Sequence, residues 1–199
     1  MRVRLIVMAC CVFPSAAEAS SGDAARFARF ARSAHASGTV TLTLRFTDDR
    51  ATCAAHDTCG RSGKVTTRLR FDAGRPLGVG DTAVSLPVRG SVTARTRDTA
   101  AGSACASKGS VPVLALRFGG DGRGLLLRPA GAPGTDPFGT SCRAPRLSDF
   151  GAAALPAVRL RRVAPRVSTI RLKLRSTRNV TGGGYAGRLS ARGEIDLRR

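Results

Sequence analysis

Apolar residues fall on every second position through most of the chain after residue 38, and this period restricts the fold more than any other feature. In Thr39-Val-Thr-Leu-Thr-Leu-Arg-Phe-Thr47 they are Val40, Leu42, Leu44 and Phe46; in Lys64-Val-Thr-Thr-Arg-Leu-Arg-Phe-Asp72 they are Val65, Leu69 and Phe71. Threonine, arginine and lysine stand between them. Successive side chains of a strand point to opposite faces, so the pattern describes strands with one apolar and one polar face. It recurs at Val84, Leu86, Val88, Val92 and Ala94, and at Leu114, Leu116 and Phe118. After the short apolar run Leu125–Arg128 it returns at Val158 and Leu160, at Ile170, Leu172 and Leu174, and at Tyr185, Leu189, Ile195 and Leu197. About eight antiparallel strands follow, with no helical period between them. The expected class is all-β: a soluble barrel-like or strongly curved meander, with a two-sheet β-sandwich as the alternative. Gly90 marks a bulge or bend within the third run.

The chain ahead of the strands divides in two. Met1-Arg-Val-Arg4 is basic, Leu5–Phe13 is apolar, and Ala17-Glu18-Ala19 offers small residues at the positions a signal peptidase reads. Residues 1–19 are therefore expected to be a signal peptide cleaved near Ala19. The rival is a lipoprotein signal acylated at Cys10 or Cys11. Residues 20–37 form an N-terminal arm or short amphipathic helix, with Phe27, Phe30, Ala31 and Ala34 on one face and Arg26, Arg29 and Arg32 opposite. The apolar face either packs on the domain or lies on a membrane surface. A single all-β domain over 38–199 completes the expected organisation, with no transmembrane helix and a secreted or cell-envelope location.

Four cysteines remain after the leader: Cys53, Cys59, Cys105 and Cys142. In an exported chain an even number points to disulfides. Cys53 and Cys59 close a short loop. A meander places the connections Asp48–Ser62, Asp98–Ser110 and Ala130–Leu155 at one end, which makes Cys105–Cys142 the second pair. The alternative in Cys53-Ala-Ala-His56-Asp57-Thr-Cys59 is a zinc site, for which no fourth ligand stands nearby. No metal or other cofactor is expected.

The 199 residues carry 33 Lys and Arg against 13 Asp and Glu, a formal charge of +20. Arginine in place of lysine reflects GC-rich coding as readily as function, but the excess over acids does not. Fourteen cations take the parity opposite the apolar residues: Arg45, Lys64, Arg68, Arg70, Arg89, Arg95, Arg117, Arg159, Arg161, Arg171, Lys173, Arg175, Arg188 and Arg192. A membrane barrel would turn all of them into its lumen; a soluble sheet turns them to water. Of these, Arg45, Arg68, Arg70, Arg171, Lys173, Arg175, Arg188 and Arg192 are the candidate polyanion-binding residues. With no Trp and only Tyr185, the face lacks stacking platforms, so sequence-specific nucleic acid is not an expected partner. No catalytic constellation is legible: the histidines are His35 and His56, Asp48-Asp49 is strand-exit chemistry, and Gly119–Gly124 is a hairpin turn. The expectation is a non-enzymatic exported protein that associates with anionic polymers or an envelope surface. The alternative is a carrier of a small apolar ligand in a barrel mouth framed by the long loops.

Overall fold

The computed structural model describes residues 25–49, 53, 59–71, 74, 77–79, 83–120, 125–129, 138, 141–150, 159–160 and 166–199. The leader at 1–19, residues 20–24, the His56-Asp57 pair and most of the Gly119–Gly124 turn lie outside them. The strands are β1 (His35–Asp48), β2 (Arg61–Phe71), β3 (Gly78–Val79), β4 (Ala83–Asp98), β5 (Ser103–Gly120), β6 (Leu125–Pro129), β7 (Arg159–Leu160), β8 (Thr169–Gly182) and β9 (Tyr185–Arg198). All pair antiparallel in one sheet, ordered β7-β6-β5-β4-β2-β1-β9-β8, with β3 beside β4.

Two expectations about the architecture are corrected. The sheet is single, so no sandwich forms. It is also open: six long strands (β1, β2, β4, β5, β8 and β9) make most of it, and β7 and β8 are its two edges. Consecutive strands pair as in a meander and β9 returns to β1, but among the described residues nothing joins β7 to β8. The two edges differ: β8 offers a fourteen-residue ladder, whereas β7 contributes two described residues.

One face of the sheet is the core. The register sets Val40 opposite Leu69, Leu44 opposite Val65 and Leu189, and Ile195 opposite Leu172. These residues are all buried, together with Phe46, Phe71, Val92 and Leu197. β1 and β9 approach closely within this sheet. Gly193 on β9 lies opposite Val40 and Leu174 with φ 155°, and a Cβ there would overlap Thr39 O and meet Val40 Cα at 2.6 Å. A second device concerns Phe46, whose ring lies over Gly63 of β2, 2.9 Å from where a Cβ would stand. Between β4 and β5 the register shifts at Val88/Gly90. Pro112 falls at this break and has no N–H to give to the ladder.

The N-terminal segment is helical over residues 25–31. Bonds from Ser33 N to Phe30 O and from Ala34 N to Ala31 O tighten its last turn. Phe27, Phe30, Ala31 and Ala34 are each at most 2% exposed and belong to the sheet's core cluster. The apolar face is thus packed inside the domain. Arg199 closes the arrangement: its Nε donates to Phe30 O at 3.5 Å and its guanidinium lies 4.9 Å from the Phe30 ring centre.

At the opposite end the structure pairs Cys53 with Cys59 and Cys105 with Cys142. Asp48, 8% exposed, accepts hydrogen bonds from Gly60 N and Arg61 N at 3.1 and 2.8 Å, so the β1–β2 loop is drawn shut at its neck. Arg61 also donates to the Tyr185 hydroxyl at 3.2 Å, and Tyr185 meets Phe46 edge to face. Asp49 N bonds Gly184 O, and Thr99 N bonds Gly60 O. The β1–β2, β4–β5 and β8–β9 connections therefore meet at one end. The connection expected over Asp98–Ser110 is a correction: the turn occupies only residues 99–102, and Cys105 stands on β5.

Candidate functional site: the outer face of the sheet

The face opposite the core carries the cations. Arg45, Arg68, Arg70, Arg171, Lys173, Arg175, Arg188 and Arg192 are all exposed there. What the period alone could not supply is their alignment across strands, because that depends on register. In one transverse row Arg188 (β9) lies opposite Arg45 (β1), Arg45 opposite Lys64 (β2), and Lys64 opposite Arg95 (β4). Four like charges stand side by side on adjacent strands. Such neighbours have Cβ atoms about 5 Å apart and repel. Among the described residues no acid lies within ion-pair distance of any of the four.

Two residues along each strand lies a second row: Thr177, Ser190, Thr43, Thr66, Thr93 and Lys108, on β8, β9, β1, β2, β4 and β5 respectively. Ser190 Oγ donates to Thr43 O and Thr93 Oγ1 to Thr66 O, each at 3.4 Å. A third row follows, with Arg175 opposite Arg192, then Thr41, then Arg68. The hydroxyls thus lie between two cationic rows.

The acids of this face are gathered in one corner. Arg171 Nε contacts Glu194 Oε1 at 2.6 Å and Asp196 Oδ1 at 2.8 Å, and Arg198 Nη2 contacts Asp196 Oδ2 at 3.2 Å. The hydrogen bond from Arg171 is the main reason the Asp196 carboxyl is held below its ordinary value, and the same contact holds the Arg171 guanidinium above its own. Arg171 is therefore neutralised locally, unlike the row through Arg45.

A shallow depression of about 590 Å³ opens on the same face between β2, β4 and β5. Its lining includes Lys64, Thr66, Thr93, Arg95, Ala106 and Lys108. Three cations and two hydroxyls at one spot form an oxyanion-binding chemistry. By its pattern alone Lys108 falls in a long connection, so its place in this group becomes visible only with β5 extended back to Ser103. Among the described residues no cluster of three His, Cys, Asp or Glu could hold a metal, and Cys53, Cys59, Cys105 and Cys142 are joined in disulfides. The fold and face together define a disulfide-bearing, open antiparallel sheet with one cationic surface. Compared with protein-family models, with curated proteins and with solved structures, the chain matches none.

Proposed function

We propose that the protein is a non-enzymatic, exported β protein that associates through the outer face of its sheet with anionic polymers or surfaces at the cell envelope. The observation that carries this reading is the segregation of charge. The exposed cations named above occupy one face, while among the described residues the acids on that face, Glu194 and Asp196, are spent on Arg171 and Arg198 in one corner. An uncompensated field of this kind draws in polyanions and weakens with salt. Two disulfides suit an oxidising compartment, and no described helix is long and apolar enough to cross a membrane.

Retention on heparin and on immobilised polyphosphate tests the reading. Elution at clearly higher salt than a control protein of equal isoelectric point is the expected result; co-elution with the control would overturn it. For the alternative, a small apolar ligand, no observation speaks: Phe27, Phe30 and Phe138 are buried within the core cluster of the described inner face.

A further inference from the structure

Resting on that reading, we propose that the face binds a linear, flexible chain of repeated oxyanions lying across the strands, along the row Arg188–Arg45–Lys64–Arg95, with its anchor at the Lys64–Arg95–Lys108 depression. Three features of the surface carry this. First, the four cations are in register on consecutive strands, so they follow a line perpendicular to the strands with a step of about 4.8 Å and a span of about 14 Å. Diffuse positive charge needs no such alignment, and the repulsion within the row is relieved only when anions lie over it.

Second, the row of hydroxyls runs parallel at about 7 Å, two residues along each strand. Among the described residues the Thr43 and Thr66 hydroxyls have no partner, so they are free to donate to oxygens of a chain seated on the cations. Third, on β9, β1, β2 and β4 the two rows hold only Thr, Ser, Lys and Arg, and on β5 the cationic row ends at Ala106, whose methyl group offers neither a bilayer anchor nor a stacking surface. Insertion into a bilayer and stacking on bases therefore have no residues to use. Phosphate- or sulfate-bearing polymers match what remains.

Polyphosphate chains of defined length, titrated against the full protein at several salt concentrations, provide the test, with phosphatidylglycerol vesicles as a second arm. Affinity should rise with chain length and level off once a chain spans the row. The variant R45Q/K64Q/R95Q should bind at least about tenfold more weakly, with the salt slope reduced by about two, as three lost contacts at about 0.7 each require. A control that removes equal charge from exposed sites elsewhere, R29Q/R32Q/R143Q, should keep most of the affinity. Equal losses in the two variants would overturn the track and leave the general polyanion reading standing. So would tighter binding to vesicles than to polymer. No binding of the unaltered protein at any length would overturn both. All three track residues are exposed, so thermal unfolding of the variants at or above the temperature of the unaltered protein shows that the fold is kept and secures the comparison.

Discussion

Arg45 illustrates how one residue can act against its own fold. It faces Arg188 on one side and Lys64 on the other, with no described acid in range. Replacing it by glutamine removes two repulsive cross-strand pairs, and the protein should become more stable by about 0.2–1 kcal/mol, read from its urea midpoint. The same change should lower the salt needed to elute it from polyphosphate. Asp196 behaves oppositely. Its carboxyl, held below the ordinary 3.8, binds protons less readily folded than unfolded, so its pair with Arg171 stabilises at higher pH and loses that effect as pH falls through and below 3.8. Comparing Asp196→Asn with the unaltered protein across pH should show a stability gap that is constant above about pH 5 and vanishes in acid. A gap that persisted at about pH 2 would contradict the pairing.

At the scale of the strands, local features are legible in the sequence and non-local ones are not. Period-two patterning marks Val40 to Phe46 and Val65 to Phe71 as core-facing, and every apolar residue of those runs is buried, because side-chain alternation is a local property of extended backbone. Register is not local. The alignment of Arg188, Arg45, Lys64 and Arg95 depends on how β9 slides against β1 and how β2 pairs with β1 and β4, and β9 and β1 are far apart in the chain. β5 is longer than its pattern suggests because Ser103–Ser110 is small and polar and lacks alternation, although its backbone pairs with β4 throughout. Edge closure is equally hidden, since whether two edge strands meet is a property of the whole sheet and not of either strand's pattern. Gly193 gives the element-scale prediction. A Cβ there would overlap Thr39 O, so Gly193→Ala should destabilise by about 1–3 kcal/mol, while the polar face keeps its charge. A fully stable alanine variant would show that the pairing of β1 with β9 tolerates more room than these contacts indicate.

Across the whole molecule, two bridges of very different reach secure the loop-bearing end. Cys53 and Cys59 are 6 residues apart, whereas Cys105 and Cys142 are 37 apart. By loop-closure entropy the first contributes about 2 kcal/mol and the second about 4. Replacing Cys105 and Cys142 by serine should therefore lower the denaturation midpoint more than the same change at Cys53 and Cys59. The reverse order would show that the short loop does more than close on itself.

The pairing of β1 with β9 has its own consequence for how the molecule comes into being. The strand that starts at His35 is held between β2 and a strand ending at Arg198, so the middle of the sheet is built from opposite ends of the domain. A nascent chain cannot complete the ladder between β1 and β9 until β9 has been made, and such distant pairings form slowly. Until then β1 is held on one side only, by β2. Trimming residues from β9 would leave part of β1 with an open side.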